Sequence, residues 1–137
     1  MHIFPVRVYY SDTDCGGIVY HARYLDFAEH ARTELLREIA QSHHFDGNQS
    51  SLLNVQKTGF VVKSISIDYQ KPAKLDDLLE VRTVVTTMKR FSMTLRQQVF
   101  KDDELIADLI VKVAAINLET LKPQMLSDDL QKAFLGD

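Results

Sequence analysis

The stretch YYSDTDCGGIVYHARYLDFAEHARTELLREIAQS, Tyr9 to Ser42, changes character midway. Its opening, YYSDTDCGGIVYH, mixes carboxylates, a cysteine, paired glycines and a histidine. From Ala22 to Ser42 a different pattern takes over. Leu25, Ala28, Ala31, Leu35 and Ile39 recur at three- and four-residue spacing, the period of a helix with one buried face. Phe27, Ala31, Glu34 and Glu38 form a neighbouring stripe that turns polar toward the C-terminus. No Gly or Pro interrupts the run, so it predicts a single helix of roughly 30 Å at ~1.5 Å per residue. His43 and His44 follow at its end, where the helix dipole favours positive charge. Phe45 to Ser51, with Gly47 and Asn48, predicts a loop.

Working outward, Ile3 to Tyr10 is rich in β-branched and aromatic residues and predicts a strand. Pro5 has no N–H to donate, so that strand starts there or lies at a sheet edge. Downstream, four segments alternate with period two. Val61, Ile65, Ile67 and Tyr69 alternate with Val62, Ser64, Ser66 and Asp68 up to Pro72. Leu79, Val81, Thr83 and Val85 alternate with Glu80, Arg82 and Val84. Phe91, Met93, Leu95, Gln97 and Val99 alternate with Ser92, Thr94, Arg96 and Gln98. Leu105, Ala107, Leu109, Val111 and Val113 alternate with Asp108 and Lys112. KPAKLDD, MKR and KDDE supply the connections. Such alternation implies antiparallel strands with one buried face. After Pro123, Ser127 is placed to cap a short helix from Asp128 to Leu135.

The fold class is therefore α+β, one long central helix wrapped by a five-stranded antiparallel sheet. The sheet has two edges and an outer face carrying Val, Phe and Ile, liabilities that a second copy would cover. A homodimer or homotetramer is expected. The 137 residues suit one domain, 1–137, with no linker or repeat. A net charge of -3 offers no basic field for phosphate backbones, so no nucleic acid is expected. The one cysteine, Cys15, forms no internal disulfide and points to a reducing compartment. The N-terminus lacks the pattern of a signal peptide, and no apolar run reaches the ~18 residues of a membrane span. A cytoplasmic protein is expected.

The junction between strand and helix carries the chemistry. Gly16 and Gly17 permit backbone angles closed to other residues and let a ligand approach the main chain. The first N–H groups of the helix that follows lack internal partners, and the dipole there is positive. Gly16, Gly17, Val19 and Tyr20 thus form a corner able to hold an oxygen on which negative charge develops. A carboxylate beside it, Asp14 or Asp12, could act as general base or nucleophile. Either could instead serve the turn, since Asp commonly bonds backbone N–H groups there. His21 could cap the helix, orient a substrate or move protons, and Tyr10 reads as a strand aromatic. Cys15 is discounted as nucleophile because no Cys–His–Asn/Asp arrangement accompanies it. The five histidines show no HExxH or CxxC spacing, so neither metal nor other cofactor is expected. Lys63, Lys89, Arg90 and Arg96 are candidate contacts for the phosphates of a CoA-type ligand, or plain surface charges.

Arg7 to Arg37, RVYYSDTDCGGIVYHARYLDFAEHARTELLR, resembles the signature of the 4-hydroxybenzoyl-CoA thioesterase group of hotdog-fold enzymes. It is most similar to the YbgC-type, Tol–Pal-associated acyl-CoA thioesterases. FVVKSISIDYQKPAKLDDLLEV, Phe60 to Val81, resembles the second strand and following turn of that subfamily. The likeness runs from about Val6 to Leu118 and implies a hotdog fold, pairing of protomers through one continuous sheet, and an active site completed by the partner chain. It implies that Asp14 is the catalytic carboxylate, accompanied by Tyr10 and His21, with backbone N–H groups around His21 polarising the thioester carbonyl. Asp12 is left as turn structure. The implied substrate is an acyl-CoA, with acyl carrier protein or phospholipid-synthesis proteins as further partners. Cys15 stands where relatives carry alanine or proline, and Arg23 where a small polar residue is frequent, which would alter the entrance. Two rivals share the fold class: a non-catalytic acyl-CoA or acyl-carrier-protein binding module, and a hydroxyacyl-thioester dehydratase.

Overall fold

The computed structural model describes residues 1–43 and 58–136. Its elements are β1 (His2–Arg7), α1 (Arg23–His43), β2 (Thr58–Tyr69), β3 (Leu78–Met88), β4 (Ser92–Lys101), β5 (Glu104–Asn117) and α2 (Asp128–Leu135), with one 3-10 turn at Tyr10–Asp12. His44 and the expected Phe45–Ser51 loop lie outside the described residues. The expected helix and four downstream strands are present within a few residues of their predicted limits. The first strand is shorter than expected, because the chain turns at Tyr9 into the 3-10 turn.

All five strands join one antiparallel sheet in the order β1-β3-β4-β5-β2. β1 is an edge, which explains how Pro5 is tolerated opposite Glu80. β2 is the other edge. One face of the sheet is packed against α1. Leu79, Val81, Leu95, Val99, Leu109 and Val111 point there and are fully buried, meeting Phe27, Ala28 and Ala31 of the helix. The small alanines let the helix lie close on the sheet. A second cluster joins Ile39 and Ala40 to Leu126 and Leu130 of α2. Ser127 caps α2, its Oγ accepting the Leu130 N–H at 3.1 Å.

Period two is interrupted at three places, in β2 beside Lys63, in β3 between Val85 and Thr87, and in β5 at Ile106 opposite Val99 and Phe100. β2 slips between Val62 and Ser64, leaving Lys63 as an extra residue. Val62 is therefore paired with buried Val113 and shares the helix-facing side with Ile65, whereas Val61 is paired with Ala114 and faces away. The expected set of Val61, Ile65, Ile67 and Tyr69 thus loses Val61. A bulge is invisible to a strict alternation count because it inserts one residue and reverses the phase.

Two polar side chains, Gln97 and Thr83, meet within the buried face. Gln97 is fully buried. Its amide donates to the Ala28 carbonyl at 3.0 Å and to Thr83 Oγ1 at 3.1 Å, and its oxygen accepts from Arg32 Nη1 at 2.8 Å. Burial pushes the Arg32 guanidinium below its usual pKa, against the opposing influence of Glu29. Sheet and helix are pinned to one another here by satisfied hydrogen bonds in a low-dielectric interior.

Candidate active site

The strand-to-helix junction folds into a small pinned corner. Thr13 and Val19 form an isolated antiparallel bridge, and Asp14 N–H donates to the Ile18 carbonyl at 2.9 Å. Asp14 to Ile18 is thus a tight loop. Gly17 closes it at φ 81°, a conformation that strains any residue with a Cβ. Ile18 bridges to Lys74, tying the loop to the turn before β3. In that turn burial acts most strongly on Asp77, pushing its carboxyl up. Hydrogen bonds from the Lys74 N–H and from Lys101 outweigh it and hold the group below its ordinary value.

The two aspartates differ sharply. Asp12 is buried. Its carboxylate accepts the Tyr9 N–H at 2.8 Å and both Nε and Nη2 of Arg23, at 3.1 and 2.8 Å. Arg23 also meets Asp26 at 3.0 Å. Its guanidinium is raised above its usual pKa, chiefly by the hydrogen bond to Asp12. A cation at a helix N-terminus opposes the dipole, and the two carboxylates offset that. Arg23 turns back into the corner, so it shapes the corner from within and is not a free group at its entrance. This Asp12–Arg23–Asp26 clamp was missed in the sequence, although Arg23 stood out there as a departure.

Asp14 is exposed. Its Oδ1 accepts the Gly16 N–H at 2.8 Å, while Oδ2 has no partner among the described residues. One oxygen orients the carboxylate and the other remains free for chemistry. The backbone donors are likewise sorted. Gly17 N–H donates to the Asp14 carbonyl, Val19 N–H to Ala73 and Tyr20 N–H to Asp12, at 3.1, 2.9 and 2.8 Å. The N–H groups of Gly16, Gly17, Val19 and Tyr20 are thus all engaged within the protein. These four residues build the corner, and the next N–H along, that of His21, has no acceptor among the described residues.

His21 is exposed at the foot of α1. Its ring lies 4.5 Å from that of Tyr20 and edge-on to Tyr69 at 6.4 Å. Tyr69, at the end of β2, donates its hydroxyl to the His21 carbonyl at 2.9 Å. Tyr69 also packs edge-on against Tyr24 at 5.7 Å, whose own hydroxyl accepts the Ala73 N–H and is raised in pKa by burial. Tyr69 therefore ties the edge strand to the helix start, a role that its place in an alternating run did not signal. Tyr10 is exposed on the 3-10 turn.

The cations expected for CoA are dispersed. Arg96 forms a two-pronged pair with Asp108 of β5, at 3.1 and 2.7 Å, on the face away from α1. Lys63 is the bulge residue in the middle of β2. Lys89 and Arg90 form the β3–β4 turn, about 35 Å along β3 from the Lys74 end that meets the corner. One protomer does not bring them to its own Asp14. Among the described residues no three His, Cys, Asp or Glu side chains converge as a metal would need, and no helix is long and apolar enough to cross a membrane.

Comparison with known proteins agrees with this architecture. Residues 8–134 match the family model described as the Thioesterase-like superfamily. The acyl-CoA thioesterase YbgC of Haemophilus influenzae is 45% identical over 131 residues, covering 96% of this chain and 92% of that protein. The acyl-CoA thioester hydrolase YbgC of Escherichia coli O6:H1 is 39% identical, covering 96% and 93%. Among solved structures, a probable thioesterase from Bartonella henselae superposes with a TM-score of 0.77 at 35% identity, covering 92% and 98%. With its helix-wrapping antiparallel sheet and this extent of likeness, the chain belongs to the thioesterase-like superfamily of hotdog-fold proteins.

Proposed function

We propose that this protein hydrolyses acyl-CoA thioesters, with Asp14 as the catalytic carboxylate and the His21 N–H as the donor that polarises the carbonyl. The observation that carries the assignment of roles is the pairing of a free Asp14 Oδ2 with an unclaimed N–H at the start of a 21-residue helix. The thioester oxygen sits against that N–H, where the dipole favours developing charge. Asp14 takes a proton from water as the water oxygen bonds to the carbonyl carbon. The tetrahedral adduct then collapses, the C–S bond breaks, and the CoA thiolate leaves and is protonated. In the alternative route Asp14 Oδ2 itself attacks, giving a mixed anhydride that water opens. Tyr10 and His21 flank the reacting group.

The working unit in this proposal is a dimer formed through β2, the sheet edge that ends at Tyr69 beside the corner. The exposed outer face, with Val84 and Ile110, supports a further pairing into a tetramer. An unpaired exposed thiol, Cys15, supports a reducing compartment such as the cytoplasm. Asp14→Asn tests the core of the proposal. The variant is expected to fold, by circular dichroism, and to lose about 10²-fold or more in kcat/KM for thiol release from an acyl-CoA. Near-full turnover would remove Asp14 from the mechanism. Single-turnover hydrolysis in ¹⁸O water separates the routes, since label enters the aspartate only through the anhydride.

A further inference from the structure

Asp12, Tyr20 and Arg23 close a ring of hydrogen bonds at the start of α1. The Asp12 carbonyl accepts the Tyr20 N–H at 2.8 Å, and the Tyr20 carbonyl accepts the Arg23 N–H at 2.8 Å. The Arg23 side chain then returns to Asp12, Nε and Nη2 donating to Oδ1 at 3.1 and 2.8 Å. Backbone supplies two links of this ring and a buried carboxylate the third. The other carboxylate oxygen of Asp12 accepts the Tyr9 N–H at 2.8 Å. It thereby holds the 3-10 turn that carries Tyr10.

The ring fixes a group that lies outside it. A peptide unit is planar and trans, so its N–H points opposite to its C=O. The Tyr20 carbonyl and the His21 N–H belong to one peptide. The Arg23 N–H sets the direction of that carbonyl, and with it the direction of the His21 N–H, which has no acceptor among the described residues. Turning this peptide would break the bond from the Arg23 N–H. Arg23 resists the movement because its side chain is anchored on Asp12. Without that anchor the peptide would be held by backbone bonds alone, in the end turn of a helix, where fraying is easiest. Removing the guanidinium would also leave the buried Asp12 carboxylate with the Tyr9 N–H as its remaining donor among the described residues, an arrangement that favours local rearrangement.

We infer that the Asp12–Arg23 pair is a positioning device for the reaction, holding the Tyr20–His21 peptide so that its N–H faces the thioester oxygen as charge develops there. This rests on the thioesterase reading above. In this role neither side chain touches the reacting atoms, and both act through the backbone. A donor to a developing oxyanion is effective when it is oriented before the charge appears. A small misplacement of such a group is costly to the rate even when its cause lies away from the chemistry. The loss falls on the transition state more than on substrate binding, so it belongs in kcat and not in KM.

The test uses full-length protein and thiol release from acetyl-, octanoyl- and benzoyl-CoA. Arg23→Met keeps the aliphatic stem and removes the guanidinium. Its kcat should fall about tenfold or more while KM stays within about twofold. A native kcat, or a loss confined to KM, overturns the inference. Arg23→Lys keeps the charge but offers a compact ammonium in place of the two-pronged fork, so it should recover part of the lost kcat. Full recovery would mean that charge alone suffices, and would overturn the positioning role. Ser127→Ala removes the cap of α2, remote from the corner, and serves as the control for lost stability. It should keep native kcat, and an equal loss there would also overturn the inference. Amide hydrogen exchange reads the ring without any turnover. The Tyr20 N–H should exchange about tenfold faster or more in Arg23→Met than in native protein, and unchanged exchange overturns the ring. Native protein that releases no thiol from any of the three substrates instead overturns the thioesterase reading itself.

Discussion

At the scale of single residues, the corner works by dividing two chemically identical groups. Asp12 is surrounded by donors and serves structure. Asp14 spends one oxygen on Gly16 N–H and keeps the other free. Asp12→Ala leaves Arg23 at the helix N-terminus with only Asp26 nearby. Hydrogen bonds to charged groups are worth about 1.5–3 kcal/mol, but the Arg23 side chain is 37% exposed and solvent reduces this. A loss of about 1–2 kcal/mol is expected, read as a fall of roughly 5 °C in Tm. A double-mutant cycle with Arg23→Met should recover most of that loss as coupling between the two residues. Additive losses would show that Asp12 acts through the Tyr9 N–H alone.

At the scale of elements, β2 depends on one inserted residue. Removing Lys63 restores strict alternation and turns either Thr58, Phe60 and Val62 or Ile65, Ile67 and Tyr69 away from α1. Exposing Phe60 alone costs about 1.5–3 kcal/mol. The deletion should therefore destabilise by at least about 2 kcal/mol in urea unfolding, while Lys63→Ala changes stability by less than about 0.5 kcal/mol. Across β4 and β5, the hydrogen bond from Arg96 holds Asp108 below the ordinary carboxylate range, against a smaller opposing influence of burial. A lowered pKa in the folded state gives stability that is full above the unfolded value near ~3.9 and is lost as pH falls through the folded one. Asp108→Asn should thus cost more at pH 7 than at pH 3, and equal costs at both would count against the pair. The helix and the alternating strands were legible in the sequence because their periods differ and each persists for many residues. The bulge was not, since one residue out of phase resembles noise in a short window. Asp14 was singled out as the proposed catalytic group only through family resemblance, as spacing alone left it equal to Asp12. Gln97 carried a readable signal, a polar residue at a buried phase of β4, whereas Tyr69 looked like any strand aromatic.

At the scale of the whole molecule, the proposed dimer rests fold stability and catalytic competence on different surfaces. The core of the protomer is its own, since Leu79, Leu95, Leu109 and Val111 are buried without help from a second chain. A domain of this size buries about two-thirds of its unfolded surface, enough to fold alone. The candidate corner, however, is tied by Tyr69 to the end of β2, the edge strand through which the proposed dimer pairs. Dilution should therefore separate the two properties. Below the dissociation constant of the dimer, mass by light scattering falls toward 15.7 kDa and the far-ultraviolet circular dichroism stays native. Acyl-CoA turnover per chain is expected to fall in step with the mass. By mass action, substrate that binds only the dimer shifts the midpoint to lower protein concentration, so a saturating acyl-CoA should hold the pair together further into the dilution series than buffer alone does. Constant turnover per chain while the mass halves would place the complete site within one protomer.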